Sequence, residues 1–114
     1  MTSDNPNFAA TPQPPYFAAI FASLRTPGDN GYQAMAERML ELAASQPGFL
    51  GADGARGADG FGITVSYWTS ADSIAAWKAH VEHQIAQEQG PNVWYEHYEL
   101  RIARVERAYG KRSA

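Results

Sequence analysis

From position 16 onward the chain switches between two hydrophobic periods. Tyr16 to Arg25 reads YFAAIFASLR: Phe17, Ala19 and Phe21 fall on one side, and Tyr16, Ala18, Ile20 and Leu24 on the other. That is the period of a strand, apolar on both sides, so both sides are expected to be covered. TPGDNG at 26–31 breaks the strand and offers Asp29 or Asn30 as a helix cap. From Tyr32 to Ser45 the period becomes helical, with Tyr32, Met35, Ala36, Met39, Leu42 and Ala43 in one stripe and Glu37, Arg38 and Glu41 on the wet side, until Pro47-Gly48. Phe49 to Arg56, FLGADGAR, is a weak, glycine-rich strand, expected to be bulged or at an edge. GADG recurs at 57–60 as local low complexity, and Asp59-Gly60 supplies a hairpin turn.

The clearest strand is Phe61 to Thr69, FGITVSYWT. Phe61, Ile63, Val65 and Tyr67 line one face, and Thr64, Ser66 and Trp68 the other, with Gly62 leaving space. Thr69 or Ser70 caps a second helix with Asp72 in its first turn, an apolar stripe of Ile74, Trp77, Val81 and Ile85, and a stop at Gly90-Pro91. Asn92 to Tyr95 is a short connector. Glu96 to Tyr109 is the last strand, whose alternation slips between Ile102 and Ala103 and so predicts a bulge there.

The order β-α-β-β-α-β predicts an α+β, ferredoxin-like domain over 16–109 with a four-stranded antiparallel sheet. Residues 1–15, with prolines at 6, 12, 14 and 15, read as a disordered or strapping tail, and 110–114 as a C-terminal tail. Two helices cover one face of such a sheet. A second copy is the simplest cover for the other, which predicts a homodimer packed face to face.

Composition narrows the chemistry. The chain has 114 residues, 45% hydrophobic and 18% charged, with a formal net charge of -3. It is one globular domain, and no basic face invites nucleic acid or an anionic membrane. The chain has no cysteine, which removes disulfides, thiolate metal sites and a cysteine nucleophile, and suits a reducing cytoplasm. The opening residues carry no basic-then-apolar signal pattern, so no secretory leader is expected, and no apolar run reaches the length of a membrane span.

No phosphate-binding loop, dinucleotide fingerprint, nucleophile elbow or zinc-helix motif is present. What remains is a set of histidines and aromatics. His80 and His83 lie three apart on the second helix, near enough for a metal pair with a third ligand such as His97, but no carboxylate completes such a site. His80 falls on the flank of the apolar stripe beside Trp77, and His83 almost opposite it; the plain alternative for both is a solvated or structural role. Trp68, Trp77 and Trp94 with Tyr67, Tyr95 and Tyr98 read as a dense set near one end of the strand–helix pair: core and interface, or an aromatic wall around a flat ligand. Arg25, Arg101 and Arg104 are expected to pair with carboxylates such as Glu99 and Glu106.

FGITVSYWTS, followed by Ile74, Trp77-Lys78, Glu82-His83, Ala86-Gln87, Gly90, Trp94-Tyr95, Tyr98, Arg101 and VERAY at 105–109, resembles the antibiotic biosynthesis monooxygenase (ABM) domain over roughly residues 16 to 109. The resemblance implies a dimeric α+β barrel with a pocket in each subunit between sheet and helices. It further implies oxidation of phenolic polyketide or quinol substrates by O2 with no metal or flavin, or, in another branch, binding and degradation of haem. Trp77 matches the helix tryptophan of the haem branch. That branch's histidine lies further along the helix than His80 and His83, and its first-strand asparagine has no counterpart in 16–25. The leading expectation is a cofactor-independent monooxygenase with His83 or His80 as base and Trp77 beside it, and with Tyr95, Trp68, Trp94 and Phe21 shaping the substrate site. The alternatives are haem chemistry and a non-catalytic dimeric ligand-binding or stress-associated module.

Overall fold

The computed structural model describes residues 8–88 and 94–111, and for 83–88 the backbone alone. Strands β1 (Tyr16–Arg25), β2 (Phe49–Arg56), β3 (Phe61–Trp68) and β4 (Tyr95–Val105) and helices α1 (Tyr32–Ala44) and α2 (Ala71–Glu88) follow in the order β1-α1-β2-β3-α2-β4. The sheet order is β2-β3-β1-β4, with every neighbouring pair antiparallel. This is the ferredoxin-like α+β plan. The stop at Gly90-Pro91, the connector residues 92 and 93, tail residues 112–114 and tail residues 1–7 lie outside the described residues. Among the described residues no helix is long and apolar enough to cross a membrane.

The registers sort the side chains into two faces, because directly opposed residues share a face. Ala19 of β1 and Trp68 of β3 join Ala43 of α1 and Ile74 of α2 in the core, with Phe17, Phe49, Trp77 and Leu100 packed against it. The face carrying Phe17, Ala19, Phe21 and Ser23 is therefore the helix-covered one. Trp68 is 0% exposed, and its indole N–H donates to Ser66 Oγ at 2.9 Å, so ring and polar tip are both satisfied. Burying an aromatic of ~200 Å² contributes about 5 kcal/mol at ~25 cal/mol/Å².

Local chemistry sets the element ends. Gly31, in the left-handed conformation, and not Asp29 or Asn30 stands at the N-cap of α1, while Asp29, two residues before it, accepts from the N–H groups of Gly31 and Gln33. Ser70 is the cap of α2, its Oγ accepting from Ser73 N–H at 3.1 Å. Gly48 ends the α1–β2 turn at φ 87, where a Cβ would also strike the hydroxyls of Ser73 and Thr69. Only a residue without a Cβ lets position 48 come so close to the start of α2.

β2 is an edge strand, and its register slips between Phe49 and Gly51, as its glycines predict. The bulge expected at Ile102/Ala103 is not there. β4 runs in register with β1 from His97 to Val105, and the slip lies instead where Leu24 and Arg25 face His97 and Tyr95. β4 is the other edge strand, and wetting of both its faces leaves Tyr98 48% and Ile102 47% exposed, which blurs its hydrophobic alternation.

The second face carries Tyr16, Ala18, Ile20, Val65 and Tyr67, with Phe61 49% and Ile63 42% exposed. Part of the tail lies on it. Ala9 N–H donates to Asp53 Oδ2 at 3.2 Å, Tyr67 O–H donates to Asp53 Oδ1 at 3.3 Å, and Thr11 Oγ1 is 3.1 Å from Tyr16 O–H. Burial, then the Asp53 carboxylate, push the Tyr67 hydroxyl up to about 12.

Candidate functional site

The six aromatics expected near one end are divided three ways. Trp68 and Trp77 meet at 5.4 Å on the helix-covered face, where β3 ends and α2 begins. Tyr67 lies on the opposite face against Tyr16, 5.8 Å away. Trp94, Tyr95 and Tyr98 gather at the far end of the sheet, where β4 begins beside the end of β1.

At the tryptophan end, Phe49 stacks edge-on against Trp68 at 5.2 Å. Trp77 Nε1 is buried and finds no hydrogen-bond partner among the described residues. A buried indole N–H without an acceptor costs on the order of 1–3 kcal/mol, so it calls for an acceptor beyond the described residues. His80 is half-buried, one helical turn after Trp77 and on the same flank of α2, and makes no hydrogen bond among the described residues. The His83 side chain lies outside the described residues.

The other end is polar. Phe21 sits between Tyr95 at 5.3 Å and Tyr98 at 5.5 Å. Tyr95 O–H donates to Tyr32 O–H at 3.4 Å, a long hydrogen bond. Burial first, then the contact with Tyr32, raise the Tyr95 pKa well above the ordinary phenol range, against the opposing pull of Arg56 and Arg25; Tyr95 is a neutral donor. The Arg25 guanidinium stacks 3.5 Å above the Tyr32 ring and donates to the carbonyls of Trp94 and Gly28. Arg56 Nη2 donates to Ser23 Oγ at 2.8 Å and, at 3.5 Å, to Tyr32 O–H, and its Nη1 donates to the carbonyls of Ser23 and Gly60. Gly62 makes the room, since a Cβ there would sit 2.9 Å from Arg56 Cζ.

Of the expected site residues, Trp77, His80 and Trp68 thus lie at one end, and Tyr95, Phe21 and Trp94 at the other. The N–H groups of Trp68 and Trp94 are engaged within the fold, the latter donating to the Asn30 carbonyl at 3.0 Å. His97 faces the open side of the sheet at 2.7 Å from Glu99, so it cannot join His80 across the sheet, and among the described residues no three His, Asp or Glu side chains gather as a metal site. Arg104 lies 3.8 Å from Glu106, as expected, but Arg25 takes a ring and carbonyls instead of a carboxylate. Tyr32, Arg56 and Ser23 were missed as site residues. Ser23 was the available signal: it is a polar residue in register with Phe17, Ala19 and Phe21, 1% exposed, and a buried hydroxyl needs a partner.

Comparison with known proteins agrees with this architecture. The chain is 58% identical over 97 residues, 85% of each chain, to YqjZ of Bacillus subtilis (strain 168), which is described as an uncharacterized protein. Among solved structures it superposes on SnoaB, a cofactor-independent oxygenase from Streptomyces nogalater, with a TM-score of 0.68 at 14% identity, covering 86% of this chain and 100% of that one. Protein SO0527 from Shewanella oneidensis also superposes with a TM-score of 0.68, at 10% identity over 82% of this chain and 94% of that one. At such identities the superpositions show a common fold. The family model for antibiotic biosynthesis monooxygenase matches residues 15–89, and the chain belongs to that family.

Proposed function

We propose that this protein is a cofactor-independent monooxygenase acting on a small electron-rich aromatic, a quinol or polyketide-type phenol. The observation that carries the reading is the buried indole N–H of Trp77, without a partner among the described residues, on the helix-covered face with His80 on the same flank. A ligand oxygen there would satisfy the donor that the fold leaves open. Membership of the monooxygenase family, and the fold shared with an oxygenase described as cofactor-independent, support the same reading.

The chemistry needs little from the protein. A base, His80 or His83, removes a phenolic proton. The phenolate gives one electron to O2, and the resulting radical pair joins at a ring carbon that carries hydrogen. Loss of water from the hydroperoxide leaves a quinone carbonyl. One oxygen atom ends in the product and one in water, with the substrate as sole reductant. Trp77 N–H would hold the substrate oxygen as charge develops, and the apolar floor of Phe17, Ala19, Phe21 and Leu100 would exclude water. The haem alternative draws no specific support from the described residues. β1 has no asparagine, and His80 lies on the flank of the stripe.

A second copy covering the open sheet face, with its exposed Phe61 and Ile63, completes the reading as a cytoplasmic homodimer; sedimentation should give twice the chain mass, and Ile63→Glu the chain mass. The activity test is O2 uptake by the purified, metal- and flavin-free protein over a panel of phenols and quinols. Uptake should depend on protein and fall at least tenfold in Trp77→Phe and in one of His80→Ala and His83→Ala. An absence of protein-dependent uptake across the panel would reject the reading.

A further inference from the structure

Tyr32 has a proton to give. A phenol carries one donor and two acceptor positions. At Tyr32 both acceptor positions are supplied, by Tyr95 O–H at 3.4 Å and Arg56 Nη2 at 3.5 Å. The Tyr32 proton itself meets no acceptor among the described residues. Two donors feeding one hydroxyl polarise it and make it a stronger donor in its own right.

The electrostatics point the same way. The guanidiniums of Arg25 and Arg56 lie 3.5 and 5.9 Å from the centroid of the Tyr32 ring. Their hydrogen bonds go to carbonyls and hydroxyls, and among the described residues neither pairs with a carboxylate. Two positive charges therefore stand over the helix-covered face with no carboxylate paired to either among the described residues, beside Tyr95, which stays a neutral donor. Tyr98 is exposed next to Phe21 and Tyr95, so the β4 edge gives access from solvent.

From this convergence of donors we infer that Tyr32, backed by Arg56, Arg25 and Tyr95, is a binding pole for an anionic oxygen, and that the substrate is an aromatic acid: a phenol whose ring also bears a carboxylate. The inference rests on the monooxygenase reading for the reacting half of that molecule.

The test is a matched pair of probes, 1-hydroxy-2-naphthoate and 1-naphthol, titrated calorimetrically into the full chain. Wild type should bind the naphthoate at least tenfold more tightly, with a preference that shrinks as salt is raised. Tyr32→Phe should lower the preference at least fivefold and leave 1-naphthol affinity unchanged. Arg56→Lys, which keeps the charge but loses the planar fork, should lower it less than Arg56→Gln. Circular dichroism identifies any variant that fails to fold, and the wild-type ratio stands whatever the variants do. Equal affinity for the two probes, no binding of either, or a Tyr32→Phe preference equal to wild type would overturn the inference. O2 uptake on the same samples separates the two claims. A carboxylate preference without uptake supports the pole and removes the oxygenase reading, and uptake without a preference does the reverse.

Discussion

The two ends of the helix-covered face are built on opposite principles. At the tryptophan end, Trp68 is enclosed by Phe17, Phe49, Trp77 and Ile74, with its polar atom bonded to Ser66, and stability comes from apolar area. At the tyrosine–arginine end, Arg25 and Arg56 tie Ser23, Gly28, Gly60 and the buried Trp94 together through hydrogen bonds, so polar clasps hold the rings in place. Each end nevertheless leaves one donor without an acceptor among the described residues: Trp77 Nε1 and Tyr32 O–H. A packed core and a polar clasp thus arrive at the same local chemistry, and what is common to both is a donor waiting for a ligand oxygen.

The sharpest way to break this contrast is to empty the packed end. Trp68→Ala should destabilise the fold by about 3–5 kcal/mol in urea denaturation, because a large ring and its surroundings are lost together. A loss below about 1 kcal/mol would mean that the tryptophan end is not the main core. Arg56→Met should come next, at about 2–3 kcal/mol, since charge-assisted hydrogen bonds vanish and buried acceptors such as the Ser23 carbonyl go unpaired. Trp77→Phe removes the orphan N–H while keeping a ring. Stability should change by about 1 kcal/mol or less, while O2 uptake falls, which separates a ligand-facing donor from a structural one.

The pH response gives a finer distinction. The Tyr67 pKa is raised in the folded state, to about 12. A raised folded pKa means that the neutral phenol is favoured by folding. Its contribution to stability is fully present below the unfolded value near ~10 and is lost as pH climbs from there towards 12. Tyrosinate absorbance should show Tyr67 and Tyr95 among the last phenols to ionise, and Tyr67→Phe should flatten the fall in stability over that window. The smallest effect should come from Lys78→Ala. The Lys78–Glu82 pair, 2.9 Å apart, is exposed on α2 and belongs to neither end, so its loss should stay within about 0.5 kcal/mol in thermal denaturation.

Much of the framework was legible in advance, because periodicity reports local geometry directly. The bounds of β1 and β2 follow from alternation and from the breakers around them. That Trp68 and its neighbour Tyr67 fall on opposite faces follows from period two, whereas only the packing shows that the helices cover the Trp68 face. Gathering Trp68, Trp77, Trp94 and Tyr95 at one end failed for a physical reason. The 18 residues of α2, at ~1.5 Å each, carry the chain about 27 Å, so β4 begins at the end of β1 opposite the one where β3 stopped. Arg25 likewise looked like half of an ion pair. Only the packing of Tyr32 under it turned it into a ring-stacked cation.

The sequence alone determined the order of elements, the alternation of faces along β1 and β3 and the family to which the chain is similar, because these depend on short-range spacing and on a motif spread along contiguous segments. Tertiary structure alone decided which distant residues meet. Tyr32 from α1, Arg56 from β2, Ser23 from β1 and Tyr95 from β4 are scattered over more than seventy positions, and no local period brings them together. Their convergence is set by antiparallel strand order and by the missing side chain at Gly62, both properties of the folded sheet and not of any one segment.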